Sequence, residues 1–303
     1  MNSNLTIIIL TFNEARNIKA CLDSVHGIAE HVLVVDSGST DGTLDLLSAC
    51  NVRVLSHPFD NYSKQRNWAQ ENNPFQTEWV FHLDAGERVS NELREWLQNT
   101  FNSESDYDGF MFCRRMMFMG KWIKHGGLYP TYHTRLFRSC KGKCEAKAYD
   151  QHFVVDGKVC VVDKTVHIVD YVAKDLKSFI AGHTRWAVIE ATELLLLAGH
   201  SGNVEARLQG NPIEQRRWLK NNVFQKTPLF LRSFLYFNYR YFFRLGFLDG
   251  RVGLICHLLQ GFGFRFLIDS MIYEIKNKMK REHLALEAAL KELYDFDVDK
   301  LTN

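Results

Sequence analysis

The sequence predicts an α/β fold in which a Rossmann-like, mainly parallel sheet is followed by a helical C-terminal region. Two observations lead to this class. Strand-length apolar runs alternate with segments of helical periodicity over the first hundred residues, and the pattern beyond residue 174 is helical almost to the end. The 303 residues are enough for two domains of about 150 residues each. We expect one domain at residues 1–172 and a second at residues 173–303.

The first hundred residues predict four strands and three helices. Residues 5–10 (LTIIIL) are continuously apolar, as expected of a strand that is buried on both faces. Further strands are expected at residues 31–35, 52–55 and 78–83. Helical spacing of apolar residues predicts helices at residues 15–25, 44–50 and 63–73. Repeated units of this kind imply parallel strands joined by right-handed crossovers.

The remainder of the chain predicts short strands and then helices. Strands are expected at residues 109–115, 134–138, 153–155, 159–162 and 165–169. The sequence Asp156-Gly157-Lys158 predicts a hairpin between two of them. Residues 211–214 (NPIE) have the pattern of a helix start. The longest uncharged apolar stretch in the C-terminal region, residues 252–264, has 13 residues. Since a spanning helix needs about 20 residues, we expect no membrane span.

Composition and the missing motifs exclude several classes of protein. Hydrophobic residues make up 46% and charged residues 24%, as in a soluble globular protein, and a net charge of +2 is too balanced for a nucleic-acid coat. The absence of a glycine-rich dinucleotide motif and of a P-loop motif counts against NAD, FAD and P-loop nucleotide sites. The seven cysteines include no Cys-x-x-Cys pair, which favours reduced thiols in a cytosolic protein.

Acidic side chains follow the predicted strands where each strand ends. They are Glu14, Asp36, Asp41, Asp84 and Glu87. Because ligands bind beyond the carboxyl ends of parallel strands, we expect these acids to line one cleft. A diphosphate in such a cleft requires a compensating cation, which is either a divalent metal or a basic side chain. Lys64 and Arg66 can supply that charge, or they lie on a solvated helix face.

Three motifs, in this order and spacing, resemble those of family 2 glycosyltransferases of the GT-A fold. They are residues 11–14 (TFNE), 34–43 (VVDSGSTDGT) and 83–89 (LDAGERV). Within that family the sequence is most similar to bacterial enzymes that build lipopolysaccharide cores and surface polysaccharides. The resemblance covers residues 5–190, and a weaker likeness continues through residues 246–250 (GFLDG).

The resemblance implies a nucleotide-sugar site, assigned residue by residue. Thr11, Glu14 and Asp36 would hold the base and ribose of the donor, and Asp41 would support that pocket. Lys64 matches the position of a cation near the donor phosphates.

The resemblance also implies that Asp84 is the first acid of the family's Asp-x-Asp motif and contacts the donor. The sequence departs from the motif at Gly86, where the second metal-binding carboxylate usually stands. Either Glu87 replaces that acid, so that Asp84 and Glu87 bind Mg²⁺ or Mn²⁺, or Asp84 binds metal with a downstream histidine. Alternatively, Lys64 and Arg66 carry more of the charge of the leaving group.

An inverting transfer needs one general base near the acceptor hydroxyl. In the resembling enzymes an acid follows the strand that corresponds here to residues 134–138 (TRLFR), and the matching acid is Asp150. Glu145 is the alternative base, and His152 is a candidate ligand or second base. The other interpretation of Asp150 is a loop acid that hydrogen-bonds only its own turn.

Residues 122–133 (WIKHGGLYPTYH) combine aromatic rings, histidines and two glycines, and the resembling enzymes have a similar His-Gly-Gly. Because aromatic faces with polar neighbours suit sugar rings, we expect Trp122, His125, Tyr129 and the nearby Arg135 to contact the acceptor. Trp122 and Tyr129 are equally interpretable as core residues under a loop.

The C-terminal region is both basic and aromatic. Between Glu205 and Arg281 the chain has 14 Lys and Arg against five Asp and Glu, a local charge of +9. Aromatic residues are concentrated in the same region, in residues 230–245. This combination suits an anionic membrane surface. Nucleic acid is not expected, and packing on the catalytic domain or in a homo-oligomer interface is the structural alternative.

Together these features predict an inverting glycosyltransferase of the hexosyltransferase type, with a nucleotide-sugar donor. Its acceptor would be a saccharide, with a lipid-linked one favoured, in bacterial lipopolysaccharide or surface-polysaccharide synthesis. The resemblance and the basic, aromatic C-terminal region place it peripherally on the cytoplasmic face of the cell membrane. A non-catalytic nucleotide-sugar-binding or scaffold protein of a polysaccharide assembly complex is the alternative, and Gly86 is its main support.

Overall fold

The computed structural model describes residues 2–173, 175–196 and 204–298. The chain divides into two compact units. The first unit consists of Met1–Met117, Tyr129–Ala146 and Gln151–Val172, and the second consists of Phe118–Leu128, Lys147–Asp150 and Ala173–Asn303. Two short segments of the first 172 residues therefore belong to the second unit.

The first unit is built on a mixed sheet whose first half is parallel. Its parallel strands are β1 (Asn2–Thr11), β2 (Ala29–Asp36), β3 (Arg53–Ser56) and β4 (Trp79–Asp84), side by side in the order β3-β2-β1-β4. The helices of this unit are α1 (Ile18–Val25), α2 (Thr43–Ser48), α3 (Tyr62–Glu71) and α4 (Asn91–Asn99). The predicted alternation of strands and helices is therefore present, with ends shifted by a few residues.

The remaining strands are shorter and less regular. They are β5 (Glu87–Val89), β6 (Gly109–Phe118), β7 (Lys121–Trp122), β8 (Tyr132–Arg138), β9 (Gly142–Cys144), β10 (Phe153–Val155), β11 (Val159–Val161) and β12 (His167–Tyr171). Strand β8 runs antiparallel to both β4 and β6, β12 runs parallel to β6, and β5 runs antiparallel to β12. Strands β9 and β10 form a separate two-stranded sheet.

Strand β1 lies at the centre of the first unit's core. Ile7 and Ile9 belong to one buried cluster, whereas Ile8 and Leu10 belong to another. Since successive side chains of a strand point to opposite faces, both faces of β1 are covered. This double burial explains why the sequence of β1 is apolar without alternation.

The predicted hairpin at Asp156-Gly157-Lys158 is wrong. The strand before this turn, β10, pairs with β9, whereas the strand after it, β11, pairs with β6. Asp108 causes the difference, because its carboxylate accepts the Lys158 N–H at 2.9 Å and its own N–H donates to the Lys158 carbonyl at 2.7 Å. These two hydrogen bonds hold Lys158 beside Asp108, so the strand that follows pairs with β6 and not with β10.

The second unit is mainly helical in its described residues, and its segment 118–128 contains the short strand β7. Its helices are α5 (Leu176–Leu196), α6 (Pro212–Leu219), α7 (Leu231–Asn238), α8 (Gly250–Cys256), α9 (Phe264–Glu282) and α10 (Leu286–Tyr294). Helix α6 begins as predicted, with Asn211 and Glu214 forming a reciprocal capping box. Helices α5 and α9 pack together through Ala187, Ala191, Phe264 and Ile268.

A continuous helical stretch, Gly246–Glu282, is long and apolar enough to cross a membrane by length and composition alone. The sequence predicted no span because Arg251 and Arg265 bound its uncharged run, but the helix continues through both of them. Within the most apolar part of this stretch, 39% is buried inside the protein. Core helices of soluble proteins pass the same test, so it does not by itself establish a span.

Candidate active site

The candidate site lies at the edge of the sheet where β1, β2 and β4 end. In the strand registers Thr11 is opposite Asp36 and Leu10 is opposite Asp84. The parallel arrangement therefore places the last residues of three neighbouring strands at one edge, as the apolar runs predicted. The loops that leave β1 and β2 contain Glu14 and Asp41, whereas Lys64 and Arg66 lie on α3.

Asp36 shapes the loop that follows β2. Its side chain is buried, and its carboxylate accepts the N–H groups of Gly38 at 2.8 Å and Ser39 at 2.9 Å. The Ser39 hydroxyl also donates to this carboxylate and in turn accepts the Asn13 N–H at 2.8 Å. Asp36 thus holds its own turn and, through Ser39, the loop after β1.

Asp41 also connects the loops after β1 and β2 through hydrogen bonds. Its carboxylate accepts the N–H groups of Ala15 and Thr43, each at 3.1 Å, and also the Thr43 hydroxyl. The Thr43 hydroxyl bond is the main reason why the pKa of Asp41 lies below its usual value. The Glu14 N–H donates to the Thr43 hydroxyl at 2.9 Å. The two loops therefore form one preorganised wall.

Two further predicted donor residues, Thr11 and Glu14, lie at the end of β1 and in the loop that follows it. Thr11 is buried, and its hydroxyl has no hydrogen-bond partner within the described part of the chain. Burial raises the pKa of Glu14, against the lowering effects of its hydrogen bond from Asn17 and of Arg88. The donor contacts that the motifs imply for Thr11 and Glu14 stay predictions.

Asp84 and Glu87 are engaged by two arginines. The Arg66 Nη2 lies 3.2 and 3.1 Å from the two carboxylate oxygens of Asp84. The Arg135 Nη2 lies 2.7 Å from a Glu87 oxygen and 3.6 Å from an Asp84 oxygen. The second Glu87 oxygen accepts the Asp84 N–H at 2.9 Å. We call Asp84, Glu87, Arg66 and Arg135 the arginine–acid cluster.

Burial and charge act in opposite directions on the two acids of this cluster. Burial favours the neutral form of Asp84, but Arg66 and Arg135 outweigh it and hold the pKa of Asp84 at about 2. Burial raises the pKa of Glu87 to about 7, because Arg135 compensates it only in part and Asp84 and Asp170 add negative charge. The same two arginines therefore lower the pKa of Asp84 but do not fully offset the effect of burial on Glu87.

The cluster does not fit the predicted divalent metal. A metal at Asp84 and Glu87 needs carboxylate oxygens that are directed at the ion, whereas here they are directed at guanidinium groups. No group of three or more His, Cys, Asp or Glu side chains in the described residues is arranged to hold a metal ion. A Cβ atom at Gly86 would come no closer than 3.5 Å to the nearest atom, the Tyr171 carbonyl oxygen. The missing second acid is therefore not imposed by lack of space.

Lys64 makes its ion pair outside the arginine–acid cluster. It lies two residues before Arg66 on α3, and its Nζ is 3.0 Å from the Asp60 carboxylate. Lys64 and Asp60 line an open surface groove of about 470 Å³. The other lining residues are His57, Pro58, Asn67, Trp68 and Glu71. The predicted phosphate contact of Lys64 stays a prediction.

The four predicted acceptor residues are divided between the units. In the first unit the Tyr129 hydroxyl donates to the Lys164 carbonyl, and Arg135 belongs to the arginine–acid cluster. In the second unit Lys124 lies 4.5 Å from the ring centre of Trp122. The His125 ring and backbone nitrogens lie 2.9 and 2.8 Å from the Asp249 carboxylate. These contacts position the residues but do not test an acceptor role.

Asp150, the predicted base, belongs to the second unit and has a left-handed backbone conformation with φ of 56°. Its carboxylate lies 3.3 Å from the Nζ of Lys220, which also pairs with Glu190 at 2.8 Å. Arg265 contacts the same Glu190 at 2.9 Å. Asp150 is thus the outermost member of a charged network, and its side chain is 42% exposed.

Glu145 and His152, the alternatives to Asp150, lie in the first unit. Glu145 is buried, and its carboxylate accepts the His152 N–H at 2.9 Å, while the Glu145 N–H donates to the His152 carbonyl, also at 2.9 Å. These two hydrogen bonds close the loop between residues 145 and 152, so the Glu145 carboxylate is engaged in holding that loop.

Sequence reasoning missed Arg114 and Asp170 and placed Arg135 with the acceptor rather than with the acids. Asp170 is opposite Glu87 in the register of β12 and β5 and lies 3.4 Å from Arg114 on β6. Burial raises the pKa of Asp170 despite Arg114. The sequence signal that could have identified Arg114 and Asp170 is a charged residue within an otherwise apolar strand.

The chain is similar in sequence to known proteins. Residues 6–148 match the family described as Glycosyl transferase family 2. The lipopolysaccharide core biosynthesis glycosyltransferase LpsC of Rhizobium meliloti is 29% identical over 161 residues, covering 51% of this chain and 58% of LpsC. The chain spans about half the length of the curated relatives it matches.

Two solved structures are similar to this chain at low sequence identity. Residues 1–349 of Staphylococcus aureus TarS are 16% identical with a TM-score of 0.42, covering 94% of this chain and 92% of that one. Glucosyl-3-phosphoglycerate synthase of Mycobacterium tuberculosis, crystallised with Mn²⁺ and UDP-glucose, is 17% identical with a TM-score of 0.31, covering 37% and 43%. The family match and the observed sheet confirm the predicted α/β class with a GT-A domain and a helical C-terminal region. Residues 6–148 of the chain are therefore similar to glycosyltransferase family 2.

Proposed function

We propose that this protein transfers a hexose from a nucleotide-sugar donor to a saccharide acceptor with inversion of configuration. The observation that carries this proposal is the preorganised wall of two loops beside the arginine–acid cluster, at one edge of the sheet. The loops present Thr11 and Glu14, which suit a nucleoside, and the cluster presents guanidinium groups, which suit phosphate.

The wall suits a nucleotide because its shape does not depend on the ligand. Asn13, which has a left-handed φ of 54°, accepts the Thr40 N–H at 2.8 Å through its side-chain oxygen. Together with the bonds of Asp36 and Asp41, this contact fixes both loops before any donor arrives. A preformed site reduces the entropy that binding would otherwise cost.

Asp150 is the proposed general base. In an inverting transfer the acceptor oxygen attacks the anomeric carbon, its proton passes to the base, and the bonding electrons of the departing oxygen remain on the diphosphate. The carboxylate of Asp150 forms an ion pair with Lys220 at 3.3 Å, and 42% of its side chain is exposed. No step is assigned to a divalent metal, since its predicted ligands are engaged by arginines.

The helical unit supports a membrane-bound acceptor. Five large apolar side chains of residues 242–248, which we call the apolar turn, are exposed to solvent: Phe242, Phe243, Leu245, Phe247 and Leu248. Hydrogen bonds from residues 121–126 anchor the turn. Lys121 and His125 bind Asp249, the residue that follows the turn, and the Gly126 N–H donates to the Arg244 carbonyl at 2.8 Å. A fixed apolar projection beside Arg244 and Arg251 suits insertion into an anionic lipid surface.

The proposed acceptor is therefore a lipid-linked saccharide at the cytoplasmic face of a bacterial membrane, where the protein binds peripherally. The similarity to LpsC supports lipopolysaccharide or surface-polysaccharide synthesis as the setting. Contact between copies of the chain through the apolar turn is the competing explanation for the exposed rings.

The proposed chemistry is tested by Asp150→Asn. This variant retains the shape of the side chain but cannot accept the acceptor proton, so transfer should fall by about 100-fold or more. Donor binding, measured by the shift in melting temperature with a nucleotide-sugar, should stay close to that of the parent protein. A fully active variant would refute the assignment of the base, and loss of donor binding would place Asp150 in the donor site.

A further inference from the structure

We propose that Arg66 and Arg135 bind the diphosphate of the donor directly and neutralise the leaving group, in the place where a divalent cation was predicted. This inference rests on the proposed function for the identity of the leaving group. Of the alternatives that the sequence left open, it takes the basic one that includes Arg66, and it differs in giving Arg135, which was expected to contact the acceptor, the second charge.

Arg66 is held as a phosphate-binding group would be. Its side chain is buried, and the guanidinium carbon lies 5.4 Å from the ring centre of Tyr62 and 5.7 Å from that of Phe153. Only Nη2 contacts Asp84, and the buried Nε has no hydrogen-bond partner among the residues that the structure describes. An unsatisfied donor on a buried guanidinium is costly unless a ligand accepts from it.

Arg135 adds a second guanidinium beside the same carboxylate. It comes from β8, whereas Arg66 comes from α3, so two separate elements direct positive charge at Asp84. The distances to Asp84 are 3.6 Å from Arg135 and 3.1 Å from Arg66. Two guanidinium groups around one acid give a fixed pair of planar donors, which is the geometry that matches the oxygens of a diphosphate.

A divalent cation would compete with both arginines. To bind Asp84 it must displace the two contacts from Arg66, and to bind Glu87 it must displace the contact from Arg135 at 2.7 Å. The ion would then lie beside two positive charges with Gly86 in place of a second acid. The acids of this cluster are therefore better explained as the counter-charges that allow two arginines to be buried.

In the transfer step the bond between the anomeric carbon and the diphosphate oxygen breaks, and its electron pair stays on that oxygen. Arg66 and Arg135 would stabilise the negative charge as it develops. The proton balance is unaffected, because the acceptor proton goes to the base and no proton needs to reach the diphosphate.

Inorganic pyrophosphate is the probe of this site, because it carries the diphosphate without requiring that the base or sugar be known. Isothermal titration calorimetry in EDTA should detect binding to the full chain, and Mg²⁺ should not be required. Arg66→Lys and Arg135→Lys keep a positive charge beside the acids but lose the planar donors, and each should weaken binding several-fold. The double variant should weaken it by more than either single variant.

Arg138→Lys is the matched control. Arg138 lies on the same strand as Arg135, at its far end, where it pairs with Glu78 and Asp108. This variant should bind pyrophosphate as the parent protein does. Binding that appears only when Mg²⁺ or Mn²⁺ is added would overturn the inference, as would an unchanged affinity in the Arg66→Lys, Arg135→Lys double variant.

Gly86→Asp provides the converse experiment, since the structure has room for a Cβ at this position. It restores the second acid, so Mn²⁺ should raise the melting temperature of this variant more than that of the parent protein. A parent protein that Mn²⁺ stabilises equally, with the effect lost in Asp84→Asn, would contradict the arginine assignment. Sugar transfer that depends on Mn²⁺ would overturn this inference and leave the proposed function intact. Pyrophosphate binding without any sugar transfer would contradict the proposed function and leave this inference intact.

Discussion

The sheet edge of the first unit and the apolar turn of the second differ in where their side chains find partners. At the sheet edge, Asp36, Asp41, Asp84 and Glu87 are each bound by groups of the same unit. On the apolar turn, Phe243 is 78% exposed and its apolar neighbours are exposed with it. Changes at the sheet edge should therefore alter folding stability, whereas changes on the turn should alter binding to a partner and leave stability almost unchanged.

The largest effect on stability is expected for Arg135→Met. The change leaves Glu87, whose side chain is 3% exposed, without its counter-charge, and breaking a buried ion pair in this way costs about 3–5 kcal/mol. Urea unfolding measures the loss. Adding Glu87→Met should restore much of it, because both charges are then removed. A single variant as stable as the parent protein would show that the pair is not part of the folded core.

Asp36→Ala should come next, with a loss of about 1–3 kcal/mol, since three partly buried donors lose their shared acceptor. The same unfolding experiment reports the change. Asp60→Ala is the matched control, because that acid is largely exposed and pairs with Lys64 on the surface. If the two alanine variants lost equal stability, Asp36 would not be the acid that organises the loops.

A smaller, pH-dependent effect is expected inside the second unit. Burial, with a further contribution from Arg265, lowers the pKa of His183, although its bond to the Phe179 carbonyl opposes this. The unfolded chain therefore binds a proton more readily than the folded chain. The stability that depends on neutral His183 is present above a pH of about 6.5 and is lost as pH falls below it, with a slope of at most about 1.4 kcal/mol per pH unit.

Unfolding of the parent protein and of His183→Gln between pH 7 and pH 5 isolates this contribution from those of the other histidines. The variant should lose less stability over that range than the parent protein. Identical pH profiles would mean that His183 is no harder to protonate in the folded protein than in the unfolded chain.

The smallest change in stability is expected for the Phe242→Ser, Phe243→Ser double variant, about 0.5 kcal/mol or less, because both rings are exposed. Binding to phosphatidylglycerol vesicles should nevertheless fall by about tenfold or more, since each ring loses its burial in lipid. Phe59→Ser, which removes an exposed ring from the first unit, is the control. Unchanged vesicle binding, accompanied by loss of a dimer in solution, would assign the turn to contact between copies of the chain.

The strand ends could be predicted from sequence because their signal is local. Each apolar run ends in a polar residue, and parallel strands bring such residues to one edge, as observed for Asp36 and Asp84. The capping box at Asn211 could be predicted for the same reason, since its two members are three residues apart.

The partners of these residues could not be predicted, because they come from distant parts of the chain. Asp36 and Asp84 follow similar apolar runs, yet one is satisfied by backbone N–H groups of its own turn and the other by Arg66 and Arg135. The false hairpin has the same origin, since Asp108 binds Lys158 across 50 residues of sequence. Local patterns predict where a strand ends but not which strand or side chain meets it.

The central proposal, a site for a nucleotide-sugar, is tested most directly by the melting temperature of the full chain with a panel of UDP-, GDP- and CMP-sugars in EDTA. A ligand that binds only the folded state raises its stability by about 2.7 kcal/mol at 100 times its Kd. We expect one donor class to raise the melting temperature, and the Arg66→Lys, Arg135→Lys double variant to reduce that rise. A panel in which no donor changes the melting temperature, with or without Mg²⁺ or Mn²⁺, would contradict the account.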